Sequence, residues 1–345
     1  MSELYDRITD MNNLNHSFLE CRKGVFWKQS VQKYDAHRFH NLYKLRKSLI
    51  DKTYKQGKLF SFYINERGKV RHIQALHIGD RVLQRTLCDY VLMPELSKYL
   101  IYDNPASVKG KGTDFARKRV KQFILSYIYH YGTDGYVLQI DIKNYFGSIP
   151  HQQFLNKLKE KIKDDNVIWL TGNIINDFEG DVGFGIGSQL SQVAGIYYLN
   201  DIDTYCKIVK SVKYYERYMD DILIIHNDKD FLKQLLKEIE SELASLGLSL
   251  NKNKTHIRPL TKQFVFLQMV YGVTKSGKLY IRPCKKSIRR ERRKIRKLLK
   301  NGIIPFDDIL SSYKSWKGNI KKYRSHNMLV NTDHIFRKEF EQWKK

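Results

Sequence analysis

Hydrophobic and polar positions along this chain fall into two periods, and the changes from one to the other divide it into elements. Residues 1 to 58 read as helical and basic, with aromatics mixed in. Residues 58 to 76, KLFSFYINERGKVRHIQAL, alternate apolar and polar positions around NERGK, which predicts a β-hairpin carrying Lys69, Arg71 and His72. A helical period returns from Asp80 to Leu100, with Val82, Leu83, Leu87, Tyr90, Val91 and Leu96 on or near one face. YVLQIDI (136–142) has the composition of a buried strand, and DVGFGIGSQLSQ (181–192) reads as a glycine-rich turn running into an apolar helix. DFLKQLLKEIESELASLG (230–247) is amphipathic, with Phe231, Leu232, Leu235, Leu236, Ile239, Leu243 and Leu246 on one stripe and Gly247 placed to end the helix. FVFLQMVYGV (264–273) predicts one further strand, followed by a turn at TKSGK.

The stretch YYERYMDDILII (214–225) breaks this pattern with two adjacent aspartates between strand-like runs. Only a tight turn fits between them. Short carboxylates suit turns because they bond the local backbone, but hairpin turns prefer Asn or Gly beside them. Adjacent carboxylates repel, and a bound divalent cation is the usual reason for keeping them together. Asp141, at the end of YVLQIDI, supplies a third carboxylate if the two elements lie antiparallel. Three such groups can hold two Mg²⁺ ions, which activate a 3′-hydroxyl and stabilise the leaving pyrophosphate of an in-line phosphoryl transfer.

Charge strengthens that picture. Lys and Arg number 62 against 36 Asp and Glu, a formal net charge of +26 that points to a polyanion, nucleic acid more than a membrane surface. KKSIRRERRKIRKLLK (285–300) holds ten basic residues and one Glu, with a narrow apolar seam of Ile288, Ile295, Leu298 and Leu299. Such one-signed density repels itself without a partner, so a phosphate-binding helix is expected. No apolar run is long enough to span a bilayer, and the N-terminal residues carry no signal-peptide core. Cys21, Cys88, Cys206 and Cys284 are too scattered for a C-x-x-C zinc site or a disulfide framework. A cytoplasmic protein with reduced thiols is expected.

These motifs together resemble reverse transcriptases. ERYMDDILII is similar to their catalytic hairpin and LQIDIKNYFGSIP to their first metal-binding strand. GIGSQLSQ resembles the template-contacting turn and helix, and LGLSLNKNKT the loop that supplies a lysine near the triphosphate. Order and spacing match from the hairpin near residue 60 to the basic helix near 290. The fold implied is α+β, a right hand of fingers, palm and thumb with an antiparallel palm sheet and a helical thumb. Its expected bounds are 1–135 for the fingers, 136–274 for the palm, with 152–182 partly returning to the fingers, and 275–345 for the thumb. Ile186-Gly187 followed by Ser191-Gln192, an I-G-x-x-x-S-Q pattern, is similar to the enzymes of diversity-generating retroelements, which copy an RNA template with frequent errors at adenine. Gly183-Phe184-Gly185-Ile186-Gly187 and Phe266-Leu267-Gln268-Met269 depart from the usual G-I-P-I-G and F-L-G-Y. Phage-defence reverse transcriptases, which copy a noncoding RNA, are the alternative lineage.

The resemblance also implies roles. Asp141, Asp220 and Asp221 match the metal ligands, the Ile142 carbonyl completes one coordination shell, and the ions expected are two Mg²⁺, or Mn²⁺ in their place. Lys254 matches the lysine that protonates pyrophosphate, with Lys252 its competitor. Tyr145 matches the aromatic that stacks under the deoxyribose and excludes a 2′-hydroxyl, and Phe146 follows it in the nucleotide site. Lys69 and Arg71 match the triphosphate grip, where Arg offers a fork and Lys a point charge. Ile186 and Gly187 border the incoming dNTP. Ser191, Gln192, Tyr218 and Met219 lie against template or primer, and Arg289, Arg292, Arg293 and Arg296 against the nucleic-acid backbone. Arg217 is expected to pair with a carboxylate or phosphate. Ile186 has no hydrogen-bonding group where most relatives have Gln, so looser base discrimination and errors opposite template adenine are expected. The implied partners are template RNA, the RNA–DNA hybrid, dNTPs and a small basic accessory protein. The rival functions are a polymerase with another template or primer habit and a retired polymerase kept as an RNA-binding scaffold. Tyr145 favours deoxynucleotides, and three intact carboxylates oppose retirement.

Overall fold

The computed structural model describes residues 3–66, 69–185, 187–301 and 304–344. Ile186 and the side chain of Lys69 lie outside the described residues. Helices α1 (Glu3–Thr9), α2 (Met11–Arg22), α3 (Gln29–Ala36) and α4 (Arg38–Ile50) open the chain. The α2 start is set by Asp10, whose carboxylate accepts from the Asn13 backbone N–H. A hairpin of β1 (Phe60–Glu66) and β2 (Lys69–Ala75) follows, antiparallel, with Arg71 opposite Ile64.

Next come α5 (Ile78–Leu87), a π-helical turn over Cys88–Leu92, α6 (Met93–Leu96) and the long α7 (Thr113–Tyr131). The helical stretch expected from Asp80 is therefore real but broken, and Pro94, which lacks an N–H, sits just after the π turn. Strand β3 (Tyr136–Asp141) leads into α8 (Tyr145–Ser148), α9 (His151–Lys161), α10 (Asp165–Asn176), α11 (Gln189–Tyr197) and α12 (Asn200–Thr204). Strands β4 (Tyr214–Tyr218) and β5 (Asp221–His226) flank the Asp turn, and α13 (Lys229–Ser245) carries the expected stripe, burying Leu232, Leu235, Ile239 and Leu243. Gly247 then turns the chain at φ +72°.

The remaining elements are β6 (His256–Pro259), β7 (Phe264–Phe266), β8 (Met269–Val273), β9 (Leu279–Pro283), α14 (Lys285–Asn301), α15 (Phe306–Lys321) and α16 (His326–Lys344). Here one expectation is corrected. Residues 264–273 form two antiparallel strands, with Phe266 opposite Met269, because Leu267 and Gln268 adopt φ of +45° and +67°. Consecutive positive φ values make the mirror-image turn that suits a two-residue hairpin, here without glycine.

The palm-like sheet has the order β4-β5-β3-β6, and β7-β8-β9 form a separate sheet. The chain divides into one unit of Met1–Ala116, Leu138–Ile224 and Asp230–His256 and another of Arg117–Val137, Ile225–Lys229 and Ile257–Lys345. In the first, α2, α4 and α5 share a core that includes Leu14, Phe18, Leu42 and Val82. In the second, Ile295, Leu299, Ile309, Tyr313 and Phe336 join α14, α15 and α16, with the Tyr313 and Phe336 rings stacked at 4.6 Å. All four cysteines are free; Cys21, Cys88 and Cys206 are buried and Cys284 half-buried. Burial pushes the first three thiols up from their ordinary value.

Candidate active site

Three segments of the first unit converge on one cavity of about 500 Å³. The first is the end of β3, where Val137, Leu138 and Ile140 are buried and Asp141 is the residue that leaves the core for the cavity. The lysine loop is laced to it. Asn251 N–H donates to the Asp141 carbonyl at 2.8 Å, Lys143 N–H to the Ser249 carbonyl at 2.8 Å, and Ile142 forms a bridge with Leu250. This lacing brings the Lys254 ammonium to Asp141 Oδ2 at 2.5 Å and Asn251 Nδ2 to Oδ1 at 2.8 Å. Of the two candidate lysines, Lys254 is the one that meets Asp141 and lines the cavity.

The second segment is the turn between β4 and β5. Met219 sits there at φ +56°, a conformation costly for any residue but glycine, and it persists only where the surroundings hold it. Arg217 does the holding. Its guanidinium is fully buried and donates to the Met219 carbonyl at 3.2 Å and to the Ile196 carbonyl at 2.7 Å. Its charge is met by Asp203, also fully buried, through two bonds of 2.6 Å. The Tyr215 hydroxyl donates to the same carboxylate at 2.6 Å. Buried charges survive only when paired and hydrogen-bonded in this way. Asp203 has no mark in the sequence beyond being an acid in a helix, and sequence reading missed it.

The third segment is the glycine turn. Gly183 lies at φ +93° against residues 146–150, bonded from its N–H to the Ile149 carbonyl, and a Cβ there would stand 3.0 Å from the Gly147 carbonyl oxygen. Only glycine fits. Ser191, expected on the template, is instead buried and donates to the Gly185 carbonyl at 2.7 Å, so it shapes the turn from beneath. Gly187 and the exposed Gln192 face a second, polar cleft of about 340 Å³ with Arg81 and Arg85. Strand β2 closes the first cavity with Arg71 and with Gln74, which sequence reading did not single out.

The two aromatics after Asp141 differ. Tyr145 is in the core, 2 % exposed, its hydroxyl donating to the Gly195 carbonyl at 2.9 Å and its acidity suppressed by burial. Phe146 is half-buried, and both rings are among the residues that line the cavity. Tyr218 and Met219 are half-buried beside the turn. In the second unit, Arg289 and Arg293 are exposed on α14. Arg292 instead donates to Thr332 Oγ1 at 3.0 Å and to the Met328 carbonyl, and Arg296 pairs with Glu339 at 3.1 Å. Two of the four arginines expected on the nucleic-acid backbone thus contact α16.

Electrostatics ties the carboxylates together. Asp221 is pushed up to about 7, chiefly by burial and then by Asp220 and Asp141, with Lys254 opposing. Such a cluster suits a divalent cation. Among the described residues no three acidic, His or Cys side chains stand at metal-ligand spacing, and Asp141 meets the Lys254 ammonium through Oδ2 and the Asn251 amide through Oδ1. Among the described residues, too, no helix is long and apolar enough to cross a membrane.

Comparison with known proteins agrees with this geometry. No curated protein matches the sequence. A solved structure of telomerase from Candida albicans, in complex with a fragment of telomeric RNA, superposes with a TM-score of 0.55 at 15 % identity, over 84 % of this chain and 55 % of that one. The chain therefore spans about half the length of that relative. The family described as reverse transcriptase (RNA-dependent DNA polymerase), whose domains generally use divalent metal ions, matches residues 53–271. With Asp141, Asp220, Asp221 and Lys254 gathered in that span, the chain belongs to the reverse transcriptases, RNA-directed DNA polymerases with the right-hand fold.

Proposed function

We propose that this chain copies a structured RNA template into DNA, with its fingers, palm and thumb bounded as expected from sequence. The observation that carries the reading is the convergence of Asp141, the Asp220–Asp221 turn and Lys254 on one cavity that Arg71 and Phe146 also line. Asp141, Asp220, Asp221 and the Ile142 carbonyl would hold two divalent ions, Mg²⁺ or Mn²⁺, which when bound supply Lewis acidity to the attacking 3′-hydroxyl and the leaving pyrophosphate.

The chain's own residues do the rest. Lys254 leaves Asp141 and turns to the triphosphate, where it is placed to give a proton to pyrophosphate. Arg71, with Lys69 beside it in sequence, grips the phosphates. Phe146 forms the floor under the sugar and Tyr145 locks that floor from the core. The +26 charge, and the RNA held by the telomerase structure, support template RNA and its DNA hybrid as partners. The retroelement likeness adds a small basic accessory protein and errors concentrated opposite template adenine.

Primer extension on poly(rA)·oligo(dT) with Mg²⁺ tests the activity. The wild-type chain extends the primer, and Asp220→Asn abolishes extension while RNA binding persists, because affinity comes from Lys and Arg elsewhere. Robust extension by the variant would overturn the metal-site assignment. Sequencing of cDNA from a defined RNA tests the error spectrum. Uniformly low error at every template base would favour the phage-defence lineage.

A further inference from the structure

A basic and aromatic surface lies on α2, α3, α4 and the turn that joins α2 to α3, apart from the residues that line the cavity. Between Arg22 and Lys47 the sequence holds eight Lys or Arg and one acid, Asp35. Phe26, Trp27, Phe39 and Tyr43 are 47, 73, 61 and 55 % exposed, a costly display for large rings. They are not loose. The Arg22 guanidinium lies 5.4 Å from the Phe26 centroid, and that of Arg38 4.8 Å from the Phe39 centroid. Both guanidiniums are held by Asp35, at 3.0 Å and 3.8 Å. One carboxylate thus holds both of the cations that back these rings. Trp27 has the Lys28 ammonium 5.4 Å from its ring, and Tyr43 stands one helical turn after Phe39 on α4. Val31, Leu42 and Phe18 form the core underneath, so the exposed rings are not needed to fill it.

The geometry points to a platform for single-stranded RNA on this face, taking unpaired bases on the Phe26, Trp27, Phe39 and Tyr43 rings and phosphates on the surrounding Lys and Arg. Open aromatic faces select unpaired bases, since a duplex hides its bases in the stack, and the net positive charge of the segment selects a polyanion over a protein surface of mixed charge. The platform draws on the RNA-copying reading only for the choice of RNA as the polyanion. Template outside the cavity is the strand it would hold.

The test uses the full chain, a fluorescently labelled oligo(rU) and an RNA duplex of equal length. Trp27→Ala with Phe39→Ala should weaken oligo(rU) binding by about 10- to 100-fold, as expected for two lost stacks, with duplex binding unchanged. Oligo(rU) should also quench the fluorescence of the wild type more than that of Trp27→Phe. Unaltered oligo(rU) affinity would overturn the platform and leave the rings to a protein partner. An equal loss for the duplex would overturn it too, showing a phosphate grip without stacking. Extension of a short poly(rA)·oligo(dT) substrate should be the same in variant and wild type. If the wild type fails to extend it but the rings still bind oligo(rU), the polymerase reading fails alone.

Discussion

Two aspartate–cation pairs in the first unit are opposites. Asp203 and Arg217 are both fully buried and meet through a bidentate contact to which Tyr215 adds a third bond. Asp141 and Lys254 meet through one contact at the cavity wall, with the lysine side chain half exposed. The first pair is shut off from solvent, with neither side chain exposed. The second can be opened by any stronger cation or anion that enters. One pair holds the turn that carries Asp220, and the other stands at the wall of the cavity.

Breaking the buried pair should have the largest effect. Arg217→Met leaves Asp203 charged in the core and should cost about 3–5 kcal/mol in urea unfolding, partly recovered when Asp203→Asn is added. A loss below about 1 kcal/mol would place the pair with ordinary surface bridges.

The next effect concerns the cluster beside the open pair. Asp221 is raised to about 7 in the folded chain, against about 3.9 unfolded. The native state therefore binds its proton more tightly, so metal-free stability falls as pH rises from about 4 to about 7, and the penalty is complete above 7. Asp221→Asn should raise the metal-free melting temperature at pH 8, by an amount equivalent to at most a few kcal/mol, and the gain should vanish below about pH 4. A gain that persists in acid would assign it to packing.

Opening the exchangeable pair should separate function from stability. Lys254→Met should change unfolding by about 0–1 kcal/mol and slow nucleotide addition by about 10²-fold, with a changed pH profile if the lysine donates the proton. The smallest effect extends the same contrast to the two aromatics. Phe146→Val should lower discrimination against rNTPs by about tenfold, whereas Tyr145→Val should mainly destabilise the fold. Altered rNTP use in the tyrosine variant alone would return the gate to Tyr145.

Much of the site was legible because its chemistry is local. The Asp pair and the Asp at a strand end announce themselves by residue type against an apolar background, whereas the lysine loop was marked only by its family resemblance. Arg217 was expected to pair with a carboxylate or phosphate, but Asp203 is one charge among many until the fold brings the two within 2.6 Å. The hairpin at 264–273 was hidden for another reason. Its bend falls on Leu267 and Gln268, which read as strand, and the positive φ values there have no glycine to signal them. Arg292 and Arg296 look identical in sequence to Arg289 and Arg293, and only the packing of α16 tells structural arginines from free ones.

The unequal burial of the four thiols has a practical consequence. Cys21, Cys88 and Cys206 are buried and their thiolates suppressed, while Cys284 stands half-buried just before the basic helix, its N–H bonded to the Gln268 carbonyl. A maleimide or iodoacetamide dye should therefore attach first at Cys284 in the native chain. The wild-type sequence thus offers a built-in position for a fluorescent reporter beside α14, with no need to remove the other three cysteines.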